Sequence, residues 1–221
     1  MLVFIHGGYW RSLDKNDHGF VAPPFTSEGI CVVMPNYALC PAVTIPDIVM
    51  QMVRCVAWTR KHIARYGGDP DRIFVAGHSA GGHLAAMMAA CLWDVHDPAL
   101  PKDLVKGALS LSGLHDLEPI MHTPFLQPSV NLTPAQVRMA SPARLPAPER
   151  GKLYSVSGAL ESGEFHRQAK LIRDAWGEDR VPVCELIPGL DHFTILEACA
   201  EPASRVHQLL LDLVHSESPA S

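Results

Sequence analysis

A serine between glycines, a distant histidine and a carboxylate between them in the chain are what acyl-transfer chemistry requires. The stretch Gly77-His78-Ser79-Ala80-Gly81 has the spacing G-x-S-x-G. Ile73, Phe74, Val75 and Ala76 run up to it, with Arg72 leading in, and an alanine-rich helical pattern follows. Strand, sharp turn and helix is the context in which this spacing makes a nucleophile elbow. Glycines flank the serine because so tight a turn leaves no room for side chains beside its strained backbone. The turn lifts the Ser79 hydroxyl to the head of a helix, where amides and the positive dipole end favour developing negative charge.

A serine hydroxyl is a weak nucleophile until a base takes its proton, and the base needs a group to orient it. In strand–elbow–helix enzymes these follow in the order Ser, Asp or Glu, His. His192 comes after the last expected strand, in Pro188-Gly189-Leu190-Asp191-His192-Phe193. His166 falls inside a helical stretch, and His207 and His215 fall in the terminal one. His78 and His83 flank the elbow but face the wrong way or sit a turn too deep. For the acid, the loop after the penultimate strand offers Glu161, a few residues past Val156. Two rivals stay open on spacing alone. Glu164 begins the next helix, where acidic residues commonly offset the dipole, and Asp116 follows the preceding strand. An oxyanion hole would draw on the Ala80 amide and on one or two from Gly7-Gly8-Tyr9. His6 reads as a brace for that loop, with no chemistry of its own.

The elements that must position these groups alternate between strand and helix. Leu2 to Ile5 is a short apolar run ending in His6-Gly7-Gly8-Tyr9-Trp10, as a buried parallel strand would be. A helical pattern around Asn16 to Ser27 is interrupted by Pro23-Pro24. Ile30 to Met34 is the next expected strand. Apolar residues at helical spacing then run from Ile48 to Ala64, until Gly67-Gly68 stops them. After the elbow, helical residues continue through Leu84, Met88 and Leu92. Further strands are expected over Leu104 to Leu111, Lys152 to Val156 and Val181 to Ile187, with a helix after each of the last two. The terminal helix runs to about His215, and the tail Ser216 to Ser221 is expected to fray. The proline-rich stretch of about 114–148, with short helical pieces, reads as a cap-like insertion. The expected fold is therefore α/β, one domain over 1–221, with a mostly parallel sheet of about six strands and helices on both faces. The site should lie at the C-terminal ends of the strands.

Composition narrows the partners. The chain has 221 residues, 48% hydrophobic and 19% charged, which suits a packed globular enzyme and excludes a disordered chain. A net charge of −5 argues against nucleic acid, whose phosphates need a basic face. No apolar run reaches about 18 residues, so no membrane span is expected. The N-terminus lacks a basic leader and a small-residue cleavage site, so it reads as a strand. Six scattered cysteines without a C-x-x-C pair suggest free thiols in a reducing, cytoplasmic compartment. Among twelve histidines none has a partner at H-x-x-x-H spacing with a carboxylate between, so no metal or other cofactor is expected. A small-molecule substrate is.

Several stretches together resemble one family. His6 to Trp10 matches an H-G-G-x-W box and Gly77 to Gly81 the elbow of the arylformamidase (kynurenine formamidase) group of α/β-hydrolases, related to the hormone-sensitive-lipase-like esterases. Asn36 to Pro41, Gly68 to Ile73, Ser112 to Pro119, Ala140 to Pro142, Glu161 to Gln168 and Asp191 to Phe193 extend the match over nearly the whole chain, in order. The resemblance implies that the carboxylate before the S-x-E-F segment, Glu161, is the acid; the family usually has aspartate there. It implies an oxyanion hole from Gly8 and Tyr9 with Ala80 assisting, and hydrolysis of N-formyl-L-kynurenine. Tyr9, Trp10 and Leu114 are candidate contacts for the aryl group. Related chains carry about two strands before the H-G-G-x-W box, whereas this one starts on that strand. An edge as apolar as Ile30 to Met34 then predicts poor solubility or a homo-oligomer that covers it. A carboxylesterase for small aryl or acyl esters is the alternative, and a catalytically silent ligand-binding member of the fold is the third reading.

Overall fold

The apolar run at the start of the chain forms β1 (Leu2–Ile5), buried along its whole length because strands flank it on both sides. A computed structural model describes residues 1–216, and the tail expected to fray lies, from residue 217 on, outside the described residues. The sheet order is β2-β1-β3-β4-β5-β6, every pair parallel. The other strands are β2 (Val32–Val33), β3 (Ile73–His78), β4 (Val105–Leu111), β5 (Lys152–Gly158) and β6 (Val183–Ile187). Parallel neighbours require long crossovers, and helices supply them. In chain order they are α1 (Ala22–Ser27), α2 (Ile45–His62), α3 (Ala80–Ala89), α4 (Trp93–His96), α5 (Glu118–Met121), α6 (Gln127–Val130), α7 (Pro134–Ala140), α8 (Gly163–Trp176), α9 (Thr194–Cys199) and α10 (Arg205–His215).

Strand alternation divides the core into two layers. Val3, Ile5, Ile73 and Val75 pack with Ile48, Met52 and Val56 of α2 and Leu84 and Met88 of α3. Their neighbours Leu2, Phe4, Phe74 and Ala76 face the other way, against Phe25 of α1, Ile195 of α9 and Leu209, Leu210 and Leu213 of α10. A smaller cluster joins Ala108 of β4 and Leu153 of β5 to Ile172 and Trp176 of α8. Helices on both faces thus clamp β3, whose end is the elbow.

Several elements are shorter than their patterns suggest. The strand expected over Ile30 to Met34 contributes only Val32 and Val33 to the ladder, paired with Leu2 and Val3. It is the edge of the sheet. Asn16 to Ser27 splits into a 3-10 turn, Lys15–Val21, and α1. Pro23 and Pro24 fall in the first turn of α1, where no backbone donor is missed. α3 stops at Ala89, and Leu92 beyond it is 69% exposed. The stretch 114–148 holds α5, α6, α7 and a 3-10 turn at Pro142–Arg144, with α7 packed on α2. Of that stretch, Phe125 meets the Tyr9 ring edge-on, with centroids 5.9 Å apart.

Candidate active site

β3 ends and α3 begins with no residue between them but Ser79, whose backbone sits at φ 57°, ψ −116°. Such a conformation is costly for a residue with a Cβ and persists only where its surroundings over-determine it. Here they do. The Ser79 amide donates to Leu111 O at 2.8 Å, and its carbonyl accepts from the His83 amide at 3.0 Å. A Cβ on Gly77 would stand 2.3 Å from Gly81 O, and one on Gly81 would stand 2.0 Å from Ile5 O. Both glycines are therefore required by backbone that passes too close for any side chain.

The loops after β5 and β6 bring the other two groups to the serine. His192 Nε2 lies 3.1 Å from Ser79 Oγ, and Nδ1 lies 2.7 Å from Glu161 Oε2. With Nδ1–H donating to the carboxylate, the Nε2 lone pair faces the serine hydroxyl. Glu161 is sealed from solvent, and its other oxygen accepts from Ser112 Oγ at 2.5 Å and from the Gly158 amide at 2.6 Å. Burial pushes the Glu161 carboxyl up, but the hydrogen bonds from His192, Ser112 and Gly158 outweigh it and hold it below its ordinary range. The rival acids are engaged elsewhere. Asp116 pairs with Arg144 at 2.9 Å, and Glu164 pairs with Arg167 at 2.8 Å.

On the other side of Ser79 the chain after β1 turns through three left-handed residues, Gly8 (φ 105°), Tyr9 (φ 51°) and Trp10 (φ 57°). A Cβ on Gly8 would meet Ser12 O at 2.1 Å. The loop is held from below. The Tyr37 hydroxyl shares its proton between His6 O at 3.0 Å and Gly7 O at 3.2 Å, and its ring stacks on His6. Gly7 N–H points to His18 Nε2 at 3.5 Å. Trp10 Nε1–H donates to His83 Nδ1, and His83 in turn donates to Ala140 O at 2.6 Å. Burial pushes the His83 imidazole down to about 4, keeping it neutral and able to accept from Trp10.

An α/β-hydrolase fold family model matches residues 2–156. The kynurenine formamidase of Danio rerio is 30% identical, over 97% of this chain and 72% of that protein. The esterase LipQ of Mycobacterium tuberculosis is 30% identical, over 87% of this chain and 49% of that protein. Among solved structures, a putative thioesterase from a Silicibacter species superimposes with TM-score 0.79 at 30% identity, covering 96% of this chain and 74% of the other. The chain belongs to the α/β-hydrolase family. In this hydrolase Ser79, Glu161 and His192 follow β3, β5 and β6.

A cavity of about 420 Å³ opens over the hydrolase elbow, between the two loops. Gly8, Tyr9, Leu13, His18, Phe193 and Leu196 line it with Ser79, His78 and His192, and most of its wall is apolar. Of the residues expected at the site, Ser79, His192, Gly8 and Tyr9 border the cavity, and Glu161 stands behind His192. Ala80 opens α3 directly after Ser79. Trp10 and Leu114 do not reach the cavity. The left-handed turn points the Trp10 indole inward, where it is fully buried against His83, and Leu114 is 3% exposed in the core with α2 and α3. Sequence reasoning passed over Leu13, His18 and Leu196, which carry no motif, and gave no site role to Phe193 or Ser112, although both fall in stretches that match the family. A cavity of about 440 Å³ at the opposite strand ends is lined by Arg60, Asp71, Asp103 and Lys106 and holds no nucleophile. Among the described residues no helix is long and apolar enough to cross a membrane.

Proposed function

We propose that this chain hydrolyses an aryl formamide, converting N-formyl-L-kynurenine to kynurenine and formate through a formyl-enzyme on Ser79. The observation that carries the reading is the unbroken line from Ser79 through His192 to a buried, ionised Glu161, beside a mostly apolar cavity. Ser79 Oγ attacks the formyl carbon as its proton passes to His192 Nε2. The amides of Gly8, Tyr9 and Ala80 hold the oxyanion. Its collapse breaks the C–N bond, and His192 delivers the proton to the aniline nitrogen. Water then attacks the formyl ester, giving its proton to His192, which returns it to Ser79 Oγ as formate leaves. Glu161 stays ionised and steadies the imidazolium in both steps. No cofactor enters, and Tyr9 serves as the aryl contact.

The similarity to an esterase favours a second reading, a carboxylesterase for small aryl or acyl esters, since both reactions use one apparatus. Turnover of N-formyl-L-kynurenine against p-nitrophenyl acetate separates the two. Brisk ester cleavage with negligible formamidase activity would replace the first reading with the second. A fluorophosphonate probe should label Ser79; a folded protein left unlabelled would be a silent binder instead. We place the protein in the cytoplasm on its six free cysteines. We also propose that a second copy covers the β2 edge, and a stable monomer by light scattering would overturn that.

A further inference from the structure

His78 stands between Gly77 and Ser79, and the proposed mechanism gives it nothing to do. Its ring is nevertheless packed against that of the base, with the His78 and His192 centroids 4.6 Å apart. His78 Nε2 lies 2.7 Å from the backbone carbonyl oxygen of His192. A carbonyl only accepts, so Nε2 must carry the proton, and the neutral ring then leaves Nδ1 without one. The same bond spans 114 positions of sequence and is a direct side-chain link between the elbow and the loop after β6. That loop is also held by the loop after β5, whose Leu160 amide donates to Leu190 O at 3.0 Å and whose Glu161 takes His192 Nδ1, and by its own turn. Asp191 Oδ1 accepts from the Phe193 and Thr194 amides, and the Asp191 amide donates to Thr194 Oγ1. None of those contacts has a partner in the elbow itself.

We propose that His78 is a positioning residue for the base: through the His192 carbonyl it sets the separation between His192 Nε2 and Ser79 Oγ. Nucleophile and tether are adjacent residues on one strained turn, so any shift of the elbow carries His192 with it. The 3.1 Å contact is thereby made a property of one rigid unit, although its partners belong to separate loops. Neutrality matters as well. The imidazolium that forms on His192 during each step would be opposed by a second positive ring at 4.6 Å. Burial, foremost, and the neighbouring His192 push the His78 imidazole down to about 3, so it stays uncharged while His192 cycles.

This inference rests on the serine-hydrolase reading, and the test separates the two. His78→Phe keeps the ring volume and removes the donor; His78→Gln restores an amide donor at similar reach. With whichever substrate the wild type turns over, His78→Phe should lower kcat about 100-fold with KM changed less than about threefold, as a base displaced by about 1 Å would. His78→Gln should recover at least about tenfold of the loss, about 1.4 kcal/mol. The downfield proton resonance of His192 Nδ1–H, which reports its bond to Glu161, should shift in His78→Phe and return in His78→Gln. Full kcat in a folded His78→Phe with that resonance unmoved would overturn the inference while leaving the hydrolase reading intact. A wild type that neither turns over substrate nor reacts with fluorophosphonate would overturn the hydrolase reading and this one with it. Should His78→Phe fail to fold, ¹⁵N spectra of the wild-type imidazoles decide. The Nε2–H tautomer at His78 supports the tether, and the Nδ1–H tautomer refutes it.

Discussion

The two sides of Ser79 are held in different ways. On the base side, Glu161 and His192 ride on loops after β5 and β6, and short polar bonds fix them. Ser112, Gly158 and His192 take up the carboxylate at 2.5, 2.6 and 2.7 Å. On the oxyanion side the proposed donors are backbone amides, which no side chain can replace. That loop depends on left-handed φ at Gly8, Tyr9 and Trp10 and on buried rings beneath it, those of Tyr37, His18 and His83. A side chain can be deleted cleanly, whereas a loop conformation can only be strained. The base side should therefore fail sharply and locally, and the oxyanion side by degrees and with the larger cost in stability.

The largest expected effect is on the base side. Glu161→Ala should lower kcat by about 10⁴-fold, as the loss of the orienting acid does in comparable triads. Thermal unfolding should still be cooperative, at a somewhat lower temperature, since Ser112 Oγ and the Gly158 amide lose their acceptor. Retention of more than about a tenth of the rate would mean that Asp116 or another carboxylate orients His192, and the contrast between the sides would dissolve. Gly8→Ala comes next. Its Cβ would collide with Ser12 O, so the loop must move and misplace its donors, with a loss of about 10²–10³ in kcat. It should also lower the melting temperature, and by more than Glu161→Ala does. A rate loss without a change in melting would show that the loop is softer than its contacts imply.

Tyr37→Phe tests the underpinning of the same loop with a smaller change. Removing the phenolic proton takes that donor from the buried His6 carbonyl, while Gly7 O keeps His6 Nδ1 at 2.8 Å. The expected cost is about 1–3 kcal/mol of stability, read from denaturant midpoints, and about a tenfold loss in kcat. Unchanged midpoints would mean that water replaces the phenol, and the loop would then be held by its φ angles alone.

The difference between the sides also explains what could be read from the residues. Ser79 and His192 could be singled out because the proposed chemistry needs one residue type at one place in the strand order. The strands of the central sheet announce themselves because burial on both faces leaves no polar position, as in Leu2–Ile5 and Ile73–His78. The shortening of the β2 edge does not show, because ladder length depends on the partner and not on the strand's own residues. Trp10 reads as a wall of the pocket, being aromatic and next to a glycine loop. Its φ of 57° sends the ring into the core, and that sign is invisible in a one-dimensional pattern. The long-range contacts of Ser112 and His78 stayed hidden for a related reason. Their partners lie 49 and 114 positions away, and neither spacing has a period.

Acid should separate the two sides last and most gently. Burial pushes the imidazole of His78 down to about 3, and those of His83 and His115 down to about 4, from 6.5. His6 and His18, beneath the oxyanion loop, are lowered by burial as well. Above pH 6.5 these rings are neutral whether folded or unfolded, and their contribution to stability is fully present. As pH falls below 6.5 the unfolded chain takes up protons that the folded chain refuses, so stability declines until the folded pKa is reached. The slope is up to about 1.4 kcal/mol per pH unit for each such histidine. Glu161 has the same sign in a lower window. Its folded pKa is lowered from 4.5, so its contribution is present above pH 4.5 and lost only as pH drops further. Urea midpoints should therefore begin to fall between pH 6.5 and 4.5, where Glu161 is still ionised in both states. His83→Gln, which cannot take up a proton, should flatten the decline by the share of one histidine. A profile flat to pH 4.5 would mean that the buried rings are charged in the folded protein. His83 could not then accept from Trp10, and the oxyanion side would have to be held by something other than neutral imidazoles.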